Sequence, residues 1–195
     1  MLFPDYGNGS ERLNSTQSLL PYHSHIDTDT TLDVLNALKE RAEDGEQVAS
    51  EDLARAISFI FEHADELGVS TRDYSVWGGS AGARMAADMG SYGPAGFGGD
   101  DLPRPAAVIM QYTSRSDYTR DDPPTYAVVG ERDGIAPWRT MRQRIDGLSA
   151  AGTDTEFHHY PNLGHGFGLG IGTSAEGWVD GATAFWQRHI VGWNP

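Results

Sequence analysis

The chain has no cysteine and little positive charge. With no cysteine among 195 residues, disulfides, thiolate metal sites and a cysteine nucleophile are excluded. Lysine and arginine number 14 against 28 aspartates and glutamates, a formal net charge of −14, and such a surface repels nucleic acid and anionic membranes. No apolar run approaches ~18 residues, and residues 1–30 lack the basic start and apolar core of a signal peptide. These absences predict a cytoplasmic protein that binds neither nucleic acid nor membrane.

Short β-prone runs alternate with helical stretches in the second half of the chain. Strands are predicted at Tyr74–Trp77, Ala106–Tyr112, Thr125–Val129 and Thr155–Tyr160, and helices near 81–90, 137–151 and 174–190. This alternation is typical of parallel strands joined by crossover helices. We therefore predict an α/β protein of three α/β/α layers with a mostly parallel sheet of about four strands. A single domain is expected over 1–195.

Upstream of these strands the sequence predicts no strand. Residues 1–28 are polar and aperiodic and predict a loop or a poorly ordered arm. A helix is predicted over 31–44 with Gly45 as its stop, and a second begins near Ser50 and ends at Gly68.

The segment GGSAG, residues 78–82, satisfies the pattern G-x-S-x-G between a predicted strand and a predicted helix. In that context the pattern predicts a nucleophile elbow, in which a strained turn projects the serine hydroxyl above the sheet. Its glycines, Gly78, Gly79 and Gly82, suit a tight turn where side chains would collide. Ser80 is then the candidate nucleophile, and the backbone N–H of Ala81 points to where an oxyanion would form. On its own the pattern equally describes an ordinary glycine-rich turn.

A serine nucleophile needs a base and an orienting acid, and both follow later predicted strands. Asp133 lies in the loop after Thr125–Val129, with Glu131 as a nearby rival acid, and His165 lies in the glycine-flanked loop after Thr155–Tyr160. The order Ser, Asp, His along the chain is that of α/β-hydrolases. Four other histidines have contexts that predict structural or surface positions, namely His63, His158, His159 and His189.

Two further patterns have weaker functional interpretations. The string His23, His25, Asp27 resembles metal ligands, but no further ligand cluster completes a coordination sphere, so we predict no metal. Four aromatic residues are candidates for the walls of an acyl pocket, namely Phe97, Trp138, Phe167 and Trp178. Aromatic residues near loop ends more often belong to the core or its rim.

From about residue 50 to its end the chain resembles an α/β-hydrolase esterase, in the branch of acetylxylan-esterase-like and hormone-sensitive-lipase-like proteins. The motifs that carry the resemblance are GGSAGAR, GERDGIA and NLGHGFG. It implies that Ser80 is the nucleophile, Asp133 the acid and His165 the base. It also implies hydrolysis of carboxylic esters, commonly with short acyl groups, without a cofactor.

The chain departs from this family before the serine. Members usually carry about four strands ahead of the elbow, with an HGGG-type loop that donates the second oxyanion amide. Here those strands are missing, and the predicted gap lies at about 47–49. The edge of strand 74–77 should then be exposed and invites pairing with another chain, so we expect a homo-oligomer through this edge.

Two hypotheses of different class follow. The first is a serine carboxylesterase acting on small-molecule esters through Ser80, His165 and Asp133. The second is a catalytically weak or inactive shortened paralogue that works as an interaction module, because losing one oxyanion donor typically costs ~10²–10³ in turnover. A peptidase of the same fold is a third hypothesis.

Overall fold

Four parallel strands form the sheet. The computed structural model describes Gly45 and residues 47–192. The strands are β1 (Ser75–Gly79), β2 (Ala107–Gln111), β3 (Thr125–Gly130) and β4 (Thr155–Tyr160), in the spatial order β1-β2-β3-β4. Every neighbouring pair is parallel, so each connection must cross over one face of the sheet. This confirms the predicted α/β class and strand number.

Helices precede the first strand, connect some of the strands and follow the last one. They are α1 (47–62), α2 (Ala64–Leu67), α3 (Ala81–Tyr92), a short 3-10 helix (Pro94–Phe97), α4 (Trp138–Ala151) and α5 (Trp178–Gln187). Gly68 ends α2 in the left-handed conformation at φ 65°, as the sequence predicts. The stop predicted at Gly45 is wrong, because residue 45 is helical, as are residues 47–50. The predicted loss of the family's front strands agrees with a sheet of four described strands.

The alternation of side chains along the strands divides the core in two. Val108 and Met110 of β2 pack with α3 and α4 on one face. Ala107 and Ile109 of the same strand pack with α5 on the other face. β2 and β3 are buried along their whole length, as expected of parallel strands covered on both faces. The helices and the sheet therefore form the predicted three layers.

A buried ion pair holds α4 against α3 and the segment before β3. Arg144 Nη2 on α4 lies 2.6 Å from Asp122 Oδ2, and both side chains are almost fully buried. Ser91 on α3 donates from its hydroxyl to the same carboxylate oxygen at 2.9 Å. Burial lowers the pKa of the Arg144 guanidinium, and the Asp122 carboxylate opposes that effect. Because a buried charge without its partner is costly, this pair fixes the end of the β2–β3 connection.

The connection from β2 to β3 is fixed near its start as well. Arg115 Nη2 lies 2.9 Å from Asp88 Oδ1 on α3, and the hydroxyl of Ser50 on α1 donates to Asp88 Oδ2 at 3.2 Å. Residues 112–116 are therefore held by contacts from α3, with α1 behind it.

Within the described part of the chain, β1 is an edge strand that pairs with β2 alone. All described residues belong to one compact unit, Glu40–Pro195. The predicted arm over 1–28, the predicted helix over 31–44 and the string His23, His25, Asp27 lie outside the described residues. None of the described helices is long and apolar enough to cross a membrane.

Candidate active site

Ser80 occupies the turn between β1 and α3, at the carboxyl edge of the sheet. Its backbone has φ 55° and ψ −119°, a region that residues other than glycine rarely adopt. The Ser80 N–H donates to the carbonyl of Gln111 at the end of β2, with an N–O distance of 2.9 Å. The strand β2 therefore holds the turn in this conformation.

Gly78 permits the close approach that this turn requires. A Cβ atom added at Gly78 would lie 2.1 Å from the carbonyl oxygen of Gly82, far inside van der Waals contact. At Gly79 the nearest atom would be Oε1 of Gln111 at 3.0 Å. A Cβ at Gly82 would meet nothing within 4 Å. A side chain at position 78 would thus collide with the backbone of Gly82, which explains the glycine there. Gly82 takes part in this contact through its carbonyl group, so the contact does not require glycine at position 82.

Three predicted site residues from three different loops form one hydrogen-bonded chain. His165, after β4, lies with Nε2 2.9 Å from Ser80 Oγ and with Nδ1 2.8 Å from Asp133 Oδ2. A carboxylate can only accept, so Nδ1 carries the hydrogen and the unprotonated Nε2 accepts from the Ser80 hydroxyl. The arrangement can therefore move the serine proton onto the imidazole.

The carboxylate of Asp133 is held rigidly in the loop after β3. Its side chain is 0% exposed. Oδ1 accepts hydrogen bonds from the backbone N–H groups of Ile135 and Ala136, at 2.9 and 2.7 Å, which leaves Oδ2 for His165. The rival acid, Glu131, instead accepts from the backbone N–H of Asn162 at 3.1 Å. Of the two candidate acids, the structure brings Asp133 to the histidine.

The loop that carries His165 is attached to the layers beneath it. The carbonyl of Gly168 accepts from the side-chain amide of Gln111 on β2 and, at 2.9 Å, from the indole N–H of Trp178 on α5. The imidazole also packs against the ring of Tyr112, with centroids 4.7 Å apart. His165 is 20% exposed in its side chain, so it is supported from below and open to a ligand above.

A cleft of about 310 Å³ opens above Ser80 and His165. Its other walls come from the start of α3, the loop after Asp133 and the segment after β2; the lining includes Ala81, Arg84, Tyr112, Thr113, Ser114, Arg115, Ser116, Ile135 and Ala136. The guanidinium of Arg115 is paired with Asp88 and, at 3.0 Å, with Asp117, so its charge is compensated. Besides Arg84 and Arg115, the lining offers a ligand mainly hydroxyl groups and a few apolar side chains.

Sequence reasoning missed residues 112–116 as part of the site. Tyr112 follows β2 directly and has a φ of 39°, another conformation rare outside glycine. Its position at the carboxyl end of a parallel strand was the available signal, because ligand sites in open α/β sheets gather there.

The aromatic residues proposed as acyl-pocket walls do not line this cleft. Trp178, at the start of α5, belongs to the core between that helix and the sheet. Phe97 packs against the cluster of α1 and α3, and Trp138 stacks on His159 with ring centroids 4.6 Å apart. Phe167 supports Tyr112 from behind, at 4.9 Å between ring centroids. Of the two interpretations, the structural one is correct for these four residues.

No protein-family model matches the chain, and no curated protein matches its sequence. Solved structures do match. An α/β-hydrolase enzyme from a Medee basin deep-sea metagenome has 21% identity and a TM-score of 0.58, over 73% of this chain and 64% of its own. The propionate-bound esterase of Thermogutta terrifontis has 21% identity and a TM-score of 0.60, over 73% and 66%. The carboxylesterase Cest-2923 of Lactobacillus plantarum has 16% identity and a TM-score of 0.61, over 74% and 69%.

These matches concern the fold. The chain spans less than two thirds of the length of the deep-sea hydrolase, in agreement with a sheet of only four described strands. The protein therefore has the α/β-hydrolase fold in a shortened form.

Proposed function

We propose that the protein is a serine carboxylesterase that cleaves short-chain acyl esters through an acyl-enzyme intermediate. The observation that carries the proposal is the hydrogen-bonded chain from Ser80 through His165 to the buried Asp133. Nucleophile, base and orienting acid are the groups that ester hydrolysis by a serine requires. The esterases that share the fold support the same reaction class.

In the first step Ser80 Oγ attacks the ester carbonyl while His165 Nε2 takes the hydroxyl proton. Asp133 holds Nδ1–H and stabilises the imidazolium that forms. The backbone N–H of Ala81 is the candidate donor to the tetrahedral oxyanion, since the first residue of a helix has no intrahelical acceptor for its N–H. The dipole of α3 favours negative charge at the same place.

In the second step the tetrahedral intermediate collapses. The carbonyl re-forms, the bond to the alcohol oxygen breaks, and His165 gives its proton to the leaving alkoxide. A water molecule then attacks the acyl group on Ser80, with His165 again as base, and releases the carboxylic acid. Every proton in this cycle passes through Nε2 of His165, and no cofactor enters it.

A short acyl group suits the cleft. The cleft has a volume of about 310 Å³, at the lower end of ligand sites in proteins. The Thermogutta esterase that shares the fold was solved with propionate, a three-carbon acid. We therefore propose acetyl and propionyl esters as the first substrates to assay.

A fluorophosphonate probe tests the assignment directly, because it reacts with an activated serine. We expect the folded protein to be labelled, Ser80→Ala to remain unlabelled, and the control Ser149→Ala, on the exposed side of α4, to be labelled like the wild type. Hydrolysis of p-nitrophenyl acetate should follow the same order. Equal labelling of Ser80→Ala, or no labelling of folded wild-type protein, would refute the proposal.

The alternative, an interaction module with little or no catalysis, is favoured by one observation. β1 is an edge strand among the described residues, the side from which the second oxyanion donor of the fold normally comes. The turnover of the wild type divided by that of Ser80→Ala separates the two functions: the ratio is large for an esterase and near one for an interaction module. A peptidase of the same fold would cleave p-nitroanilides of peptides faster than the acetate ester.

A further inference from the structure

The edge of β1 that no described strand pairs with lies between two clefts, one on each face of the sheet. On the α1 face a cleft of about 290 Å³ is lined by Leu53, Ile57, Ile60, Phe61, Ser70, Thr71, Tyr74, Ser75, Val76 and Trp77; we call it the α1 cleft. On the opposite face Trp186, Ile190 and Val191 join Tyr74 and Ser75 around a second cleft of about 490 Å³, the α5 cleft. A strand added beside β1 would place successive side chains alternately in the two clefts.

We propose that a second copy of this chain occupies this edge, with the two β1 strands antiparallel about a two-fold axis at Trp77. Such a contact is isologous, so each copy satisfies the other and the assembly closes as a dimer. The result is one continuous sheet of eight strands in which the described edges of β1 are paired. An exposed strand edge otherwise remains open to uncontrolled association.

The sequence of β1 is complementary to itself in this register. Trp77 faces Trp77 of the second copy, and aromatic pairs directly across two strands stabilise a sheet. Val76 faces Gly78 of the second copy, so a large side chain lies over a residue that has none. Ser75 faces Gly79 in the same way. No two bulky side chains other than the central pair compete for one place.

The apolar surface beside β1 is of the size that a reversible dimer needs. Ile60 is 43% exposed, Trp77 38% and Val191 82%, and other apolar residues around the clefts are partly exposed. With ~200 Å² for a large side chain, each copy offers roughly 400–500 Å². Two copies then bury about 900 Å² besides the strand backbones, near the lower limit of ~1,000 Å² for specific interfaces. A dissociation constant in the micromolar range is the corresponding expectation.

The net charge of −14 opposes association of two copies, and this gives the dimer a distinctive dependence on salt. Screening weakens the repulsion between like-charged chains, so the dimer should strengthen from about 0.05 M to about 0.5 M salt. A basic partner segment held by charge would respond in the opposite direction. The sign of the salt effect therefore separates a second copy from an oppositely charged partner.

Light scattering and sedimentation of the full chain test the proposal. We expect a reversible dimer at micromolar concentration that salt strengthens. Ile60→Lys, which places a charge in the α1 cleft, should raise the dissociation constant at least about tenfold. The control Ile171→Lys changes an isoleucine that is 75% exposed and lines neither cleft, and should dimerise like the wild type. Thermal melting of each variant checks that it is folded.

Disulfide trapping tests the register itself, because the chain has no cysteine of its own. Trp77→Cys places one thiol on the proposed axis, so mild oxidation should convert most of the protein into a covalent dimer. Ser149→Cys, on α4 at a distance from β1, is the matched control and should cross-link slowly. A monomer at every protein and salt concentration would overturn the proposal, and this is the result expected if residues 1–44 cover the edge within one chain. Equal cross-linking of the two cysteine variants would overturn it as well.

Discussion

Asp133→Asn should nearly abolish hydrolysis without unfolding the protein, because of how the carboxylate is held. One oxygen, Oδ1, accepts from the N–H groups of Ile135 and Ala136, and the other accepts from His165. An amide in this place keeps a single acceptor oxygen. Turning that oxygen away from the two backbone N–H groups would leave both unpaired, at about 1–3 kcal/mol each, so the amide NH₂ must face the imidazole.

An NH₂ group facing Nδ1 reverses the tautomer of His165. Nδ1 must then accept, the proton moves to Nε2, and Nε2 can no longer take the proton of Ser80. Loss of the correct tautomer in serine hydrolases lowers kcat by ~10⁴, or about 5.5 kcal/mol of transition-state stabilisation at 1.36 kcal/mol per tenfold. The expected product of the substitution is thus a folded, almost inactive protein.

Burst and steady-state hydrolysis of p-nitrophenyl acetate measure this effect, with the melting temperature as the check on folding. Glu131→Gln is the matched control, since this neighbouring acid bonds the N–H of Asn162 and not the histidine. It should keep kcat within a few fold of the wild type. A value within tenfold for Asp133→Asn, or an equal loss in Glu131→Gln, would refute the reasoning.

Two further predictions concern the fold. Gly78→Ala should lower the free energy of unfolding in urea by about 1–3 kcal/mol or more, because the added Cβ would lie 2.1 Å from a backbone oxygen. The control Gly82→Ala meets no atom within 4 Å, so it should be neutral or stabilising; an equal loss of stability in the two variants would contradict the close approach at Gly78. Burial raises the pKa of Tyr74 to about 12, against an opposing effect of Arg104. The contribution of this tyrosine to stability should therefore be full below about pH 10, the pKa of tyrosine in the unfolded chain, and should be lost as the pH rises towards 12. In Tyr74→Phe the loss of stability over this range should be smaller. Identical pH profiles of stability for the two proteins would contradict this.

The parts of the fold that follow from local pattern were predictable. The strand predicted at Thr155–Tyr160 is observed with the same bounds, and the apolar run predicted as Ala106–Tyr112 is observed one residue shorter at each end. Buried parallel strands are short apolar runs between turns, so composition alone locates them. Ser80, Asp133 and His165 were identifiable because each follows such a strand, and parallel strands end at one edge.

The parts that depend on tertiary contacts were not predictable. Residue 45 is helical although it is glycine; glycine costs a helix only about 1 kcal/mol, so a single glycine does not fix where a helix ends. The wall of the cleft after β2 has no periodicity, and Arg115 points into it because Asp88 on α3 holds the guanidinium. That contact joins residues far apart in sequence, and neither residue type signals it.

The shortened sheet affects the rate of the proposed reaction more than its mechanism. The three hydrogen-bonded residues follow β1, β3 and β4, and β2 fixes the turn of Ser80 and the loop of His165, so their geometry needs no strand beyond the four described. What the fold normally supplies from beyond β1 is a second oxyanion donor, worth ~10²–10³ in turnover. A slow wild-type enzyme is therefore consistent with an intact Ser80–His165–Asp133 chain. Only the ratio of its rate to that of Ser80→Ala separates slow catalysis from none.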